Sequence, residues 1–129
     1  MSAPAAGAPV DQQFFARLAT LQERFASGVP AVLQRLAVAR AAFDPAAPDP
    51  QLVTGMQALL HTMAGSATTF NFRVLGQQAR ALEQRLRVLM AFDTIAEGDW
   101  NGWFAELDEF VAWGQRDPRG SYYSEAPPP

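Results

Sequence analysis

A chain of 129 residues, nearly half of them hydrophobic, is about the size of one domain and can bury a real core. Its net charge of −3 argues against a nucleic-acid surface, and the absence of cysteine excludes a disulfide framework, a thiol nucleophile and Cys-ligated zinc. One histidine rules out a His-rich metal site, and no apolar run reaches the roughly 18–20 residues of a membrane span.

Residues 1–10 are rich in Ala, Pro and Gly, lack a basic residue and an apolar core, and read as a disordered tail, not a signal peptide. The cytoplasm is the expected location. Asp11 is positioned to cap a first helix carrying Phe14, Leu18, Leu21 and Phe25 at helical spacing. The pattern crosses Ser27-Gly28-Val29-Pro30 and resumes with Val32, Leu33, Leu36 and Phe43 in nearly the same register. This predicts one long kinked helix or two abutting ones. Asp44-Pro45-Ala46-Ala47-Pro48 is a loop, and Asp49-Pro50 is a cap followed by proline at the first helical position.

The second helix, over about 50–70, has an inner stripe of Leu52, Met56, Leu59, Met63, Ala67 and Phe70. A third, about 72–91, buries Leu75, Ala79, Leu82, Leu86 and Leu89 or Met90. The last, about 99–114, starts at the potential cap Asp99 and carries Trp100, Trp103, Leu107, Phe110 and Val111 as core. Phe104 falls off that stripe and reads as an exposed contact. Four amphipathic helices on short loops predict an all-α antiparallel four-helix bundle over residues 11–117. Residues 118–129, ending Glu-Ala-Pro-Pro-Pro, read as a Pro-rich tail or a linker toward a further domain.

The only histidine, His61, lies about 180° from the centre of the second helix's inner stripe, so it faces outward or along a groove. Gly65 follows it by one turn on the same face. A mid-helix glycine loses roughly 0.5–1 kcal/mol relative to alanine, so it marks a place where something approaches the backbone or where helices pack closely. The short connection near Thr69-Phe70-Asn71 makes the second and third helices antiparallel neighbours. His61 lies about ten residues before that turn and Glu83 about twelve after it, which brings both to similar height. A carboxylate accepting from one ring nitrogen fixes the tautomer and leaves the other nitrogen as a nucleophile. Arg87 follows Glu83 by four residues and is placed to balance a phosphoryl charge or simply to form a surface pair with Glu83.

At these residues the chain resembles the histidine-containing phosphotransfer (HPt) family. The family pattern is a helical His-x-x-Lys-Gly-Ser run, an apolar-Gly pair at the following turn, and Leu-Glu in the next helix. Here it reads His61, Gly65, Ser66, then Phe70-Asn71, Leu75 and Leu82-Glu83. The resemblance spans roughly residues 14–92 and favours one kinked helix across Pro30. It implies that His61 accepts a phosphoryl group from a receiver-domain aspartate and donates it to another. In that scheme Glu83 orients the imidazole. Ala64, Gly65, Ser66, Thr68 and Arg87 form the docking and phosphate environment. The chain would need no cofactor, since Mg²⁺ resides on the partner receiver, which belongs to a response regulator or a hybrid kinase. It would have no kinase or ATP site, and neither nucleic acid nor membrane as partner.

Two positions depart from the family. Ala64 replaces the lysine three residues after the histidine, and Asn71 replaces the turn glycine, a tolerable exchange because Asn also visits left-handed conformations. Ala64 is the main support for the alternative function, an HPt-like bundle that binds a receiver or dimerises without transferring phosphate. A carboxylate-based catalytic bundle is disfavoured, because Asp and Glu do not recur in Glu-x-x-His spacing.

Overall fold

The computed structural model describes residues 4–123, with side chains from residue 11 onward. The helices are α1 (Pro4–Ala42), α2 (Pro50–Thr69), α3 (Arg73–Met90) and α4 (Glu97–Arg116), and no strand occurs among the described residues. Each helix packs on its neighbours in the chain, and α4 closes the ring against α1. The result is a four-helix bundle with one central core.

Helix α1 is a single helix, continuous through Pro30, and not two abutting ones. It starts at Pro4 instead of Asp11, so residues 4–10 of the expected tail are helical in backbone. Pro4 and the alanines after it suit a first helical turn. Asp11 is therefore inside the helix and caps nothing. At 39 residues α1 is about 58 Å long, twice the length of α2 or α4. Only its C-terminal half is fully covered, through Val29, Leu33 and Leu36 with Phe43 just beyond the helix end. Phe14 and Phe15 are 60% and 63% exposed, and Leu21 is also exposed. The expected stripe of Phe14, Leu18, Leu21 and Phe25 is thus buried only toward Phe25, which packs on Phe70 and Phe72. A helix twice as long as its partners overhangs them.

The start of α2 follows its sequence signals. Asp49 accepts a hydrogen bond from the Gln51 backbone N–H at 2.9 Å, and Pro50 takes the first turn. Its buried face is Val53, Met56, Leu60, Met63, Ala64 and Ala67, while Leu52, Leu59 and Phe70 are half-covered. The α2–α3 turn is a Schellman closure: Phe72 N–H donates to Ala67 O at 2.7 Å and Asn71 N–H to Thr68 O at 3.2 Å. Asn71 takes the left-handed conformation this closure requires, with φ of 66°, the one positive φ among the described non-glycine residues. Asn71→Ala is expected to cost about 1 kcal/mol, lowering the unfolding midpoint by roughly 4–6 °C, while Asn71→Gly is neutral. Equal midpoints for the two variants in thermal unfolding would contradict this assignment.

Two expectations for α4 are corrected. Asp99 is the third residue of the helix, and its carboxylate accepts from the Ala96 N–H at 3.0 Å. Phe104 is fully buried, with ring centroids 4.8 Å from Phe43 and 5.3 Å from Trp103 and the Arg40 guanidinium 4.5 Å above it. A helix wedged between two neighbours buries a sector wider than a single stripe, and Phe104 lies at its edge. Trp113, absent from the expected core, is buried for the same reason, whereas Val111 is only half-buried. Beyond α4, residues 118–123 fold back instead of leaving as a linker. Arg119 pairs with Glu23 at 2.6 Å, and Tyr123 packs on Trp113 at 5.3 Å. The Glu-Ala-Pro-Pro-Pro end lies outside the described residues.

Candidate functional site

His61 projects from the outer face of α2 and Glu83 from the neighbouring face of α3. Close approach of these two helices sets their meeting. At Gly76 an added Cβ would lie 2.9 Å from Thr68 Oγ1 and 3.3 Å from the Thr68 backbone nitrogen, so a side chain there would force Thr68 or the helix spacing to shift. Sequence reading missed Gly76, since one glycine in a helix does not say which helix it faces. Behind the site, Trp103 Nε1 donates to Leu82 O at 3.0 Å and ties α4 to the turn of α3 that carries Glu83. This second missed residue was legible only as core.

Both Glu83 carboxylate oxygens lie 3.1 Å from His61 Nδ1. The histidine side chain is 69% exposed, the glutamate side chain 7%. A buried carboxylate is tolerated when charge-assisted partners satisfy it, and Glu83 has a second one: Arg87 Nη2 donates to its Oε2 at 2.9 Å. With the carboxylate able only to accept, the neutral ring carries its proton on Nδ1, which leaves the lone pair on Nε2. The imidazole is held by its inner nitrogen and offers the outer one to solvent. No group of three or more His, Asp or Glu side chains among the described residues is arranged to hold a metal.

The remaining positions sort themselves around this pair. Gly65 is exposed, and an added Cβ would meet nothing within 4 Å, so close packing within the chain does not explain it. Thr68 lies near the His61 face, and its hydroxyl donates to Ala64 O at 2.8 Å. Ser66 is half-buried and turned toward α1, where it lines a groove with Thr62. Ala64 is corrected: at 3% exposure it belongs to the core and cannot form docking surface, because three residues of helix rotate it about 60° away from His61. The charge of the missing lysine is not restored there. The nearest guanidinium bonded into the site is Arg87.

A profile described as the Hpt domain matches residues 12–113. The chain belongs to the Hpt domain family. Hpt domains are phosphocarriers, not kinases, and work with receiver domains in phosphorelay signalling. No significant match to this Hpt domain was found among curated proteins or among solved structures. The match covers the whole bundle, from the overhang of α1 to the last turns of α4. No helix among the described residues is long and apolar enough to cross a membrane.

Leucine at position 65 tests the bare surface. Gly65→Leu removes a helix-interior glycine and meets no neighbour, so the unfolding temperature is expected to hold or rise. Phosphoryl transfer from a receiver should fall about tenfold or more, because the added side chain stands beside His61. Labelling by the small donor phosphoramidate should stay unchanged. Unimpaired receiver transfer in this variant would remove Gly65 from the docking surface.

Proposed function

We propose that this Hpt domain carries a phosphoryl group on His61 between receiver-domain aspartates. The observation that carries the reading is the exposed Nε2 of a ring whose Nδ1 is held by a buried carboxylate. In the forward step the Nε2 lone pair attacks the phosphorus of an aspartyl phosphate in line with the leaving oxygen. The P–O bond to the aspartate breaks and the carboxylate leaves with its electron pair. Nδ1 keeps its proton throughout, so the product imidazolium is balanced by Glu83. In the return step a receiver carboxylate attacks phosphorus and neutral imidazole leaves.

Positioning and charge neutralisation do most of the work in such a transfer, which suits a site without an acid–base pair of its own. Mg²⁺ belongs to the receiver in this scheme, and the domain uses no ATP. In this reading Arg87 turns from Glu83 to a phosphoryl oxygen and supplies the charge that Ala64 does not. In this reading the domain works in the cytoplasm, as one partner of a response regulator or hybrid kinase.

The test is incubation with a phosphorylated receiver and Mg²⁺. Gain of one acid-labile phosphoryl group by intact mass supports the carrier. Stable binding without labelling supports the second reading, a non-transferring docking module, which Ala64 in the lysine position favours.

A further inference from the structure

Helix α1 passes the α2–α3 turn at Phe25, whose ring lies 5.8 Å from that of Phe70 and 4.9 Å from that of Phe72. Beyond that point the same apolar stripe continues through Leu21, Leu18 and Phe14, on the side that faces the open space over the turn. Phe14 and Phe15 are 60% and 63% exposed, with their rings edge to face at 5.4 Å, and Leu21 is 43% exposed. Aromatic surface left bare on a projecting helix marks a place where another surface sits.

The order of the stripe says which surface. Phe14, Leu18, Leu21 and Phe25 are spaced 4, 3 and 4 residues apart and read Phe-Leu-Leu-Phe from either end. Alternating steps of three and four make the seam of a helix pair. Both the spacing and the residues reverse onto themselves, so a second copy of α1 running antiparallel presents the identical row. Phe14 then meets Phe25 of the second copy, and Leu18 meets Leu21 of the second copy. A two-fold contact requires this self-complementarity, and an unrelated partner gives no reason for it. The size of the patch agrees. The two phenylalanines, the leucines and the stems of Arg17 and Arg24 offer roughly 600 Å² per copy, and two copies together reach about 1,200 Å², the lower end of specific interfaces.

We propose that the overhang of α1 pairs with the overhang of a second copy, antiparallel, about a two-fold axis between Ala19 and Thr20. Arg17 and Arg24 lie on one flank of the seam, so the axis sets Arg17 beside Arg24 of the second copy. These like charges, and the net charge of −3 on each copy, hold the affinity down and make the dimer tighten as salt rises. His61 lies eight residues before the end of α2 at Thr69, about 12 Å down the helix from the turn that α1 overhangs. The contact therefore leaves the imidazole of each copy open. It is a property of the helix overhang and holds whether or not His61 carries phosphate.

Sedimentation of the purified chain across the micromolar range, at low and high salt, is the test. Expected is a reversible monomer–dimer equilibrium with a micromolar dissociation constant that falls as salt rises. Phe14→Glu/Leu21→Glu should weaken the dimer about a hundredfold or more, because the seam would then bury unpaired carboxylates. Both side chains are exposed, so helix content should hold, and labelling by phosphoramidate and transfer from a receiver should be unchanged. The chain has no cysteine, so a mixture of Phe14→Cys and Phe25→Cys chains reads the orientation: oxidation should join one variant to the other and neither to itself. A chain that stays monomeric, or a dimer untouched by the two glutamates, overturns the proposal. So does Phe14→Cys bonding to its own kind, which would mean parallel helices. Receiver transfer lost in the glutamate variant, at unchanged phosphoramidate labelling, would assign the stripe to the receiver and overturn the homodimer too.

Discussion

His61→Gln is expected to abolish phosphoryl acceptance entirely, from receivers and from phosphoramidate alike. Glutamine has no ring nitrogen to attack phosphorus, and the chain holds no second histidine to substitute. The side chain is 69% exposed, so the fold should be nearly untouched, with a stability change within about 0.5 kcal/mol. The glutamine amide can still donate to Glu83, which keeps the buried carboxylate satisfied. Intact mass after incubation with a phosphorylated receiver reads the chemistry, and thermal unfolding reads the fold. Acid-labile label on the glutamine variant would remove His61 from the mechanism. Full receiver binding by that variant, with no label on wild type either, would establish the docking module instead.

Glu83 should show the second-largest effect, and two substitutions separate its two tasks. Glu83→Ala removes the acceptor of the Nδ1 hydrogen, so the ring loses both tautomer and orientation. Transfer should fall by about a hundredfold, equivalent to about 2.7 kcal/mol of transition-state stabilisation. Glu83→Gln keeps an oxygen for Nδ1–H but removes the charge facing the imidazolium, and a loss of about tenfold is expected. Stability should change far less than activity. The alanine variant leaves Arg87 unpaired, but that side chain is mostly exposed and is solvated instead. Single-turnover transfer from a receiver, read beside thermal unfolding, checks both halves. An alanine variant transferring at the wild-type rate would reduce Glu83 to a structural carboxylate.

Much of the candidate site was legible because it depends on short spacings. His61 and Gly65 share a helix face at any 3.6-residue repeat, and a tight turn at Phe70-Asn71 forces Glu83 back to the height of His61. What spacing did not supply was the rotation of each helix about its axis. Ala64 looked like docking surface from its place three residues after the histidine, yet the neighbouring helix covers it. Phe104 looked exposed because it left the Trp100, Trp103, Phe110 stripe, yet Phe43 and Trp103 enclose it. Both errors have one source: a helix with two packed neighbours buries a wide sector, and sequence periodicity shows its centre better than its edges.

Sequence alone determined the four helices, the Asp49-Pro50 start, the left-handed turn at Asn71 and the identity of the single exposed imidazole. These follow from local rules of capping, backbone freedom and helical periodicity, which act within one or two turns of chain. Tertiary structure alone decided that Gly76 packs tightly against Thr68 and that Trp103 braces the Glu83 turn. Each of these depends on what a neighbouring helix places within a few ångströms, and nothing within a few residues along the chain encodes that distance.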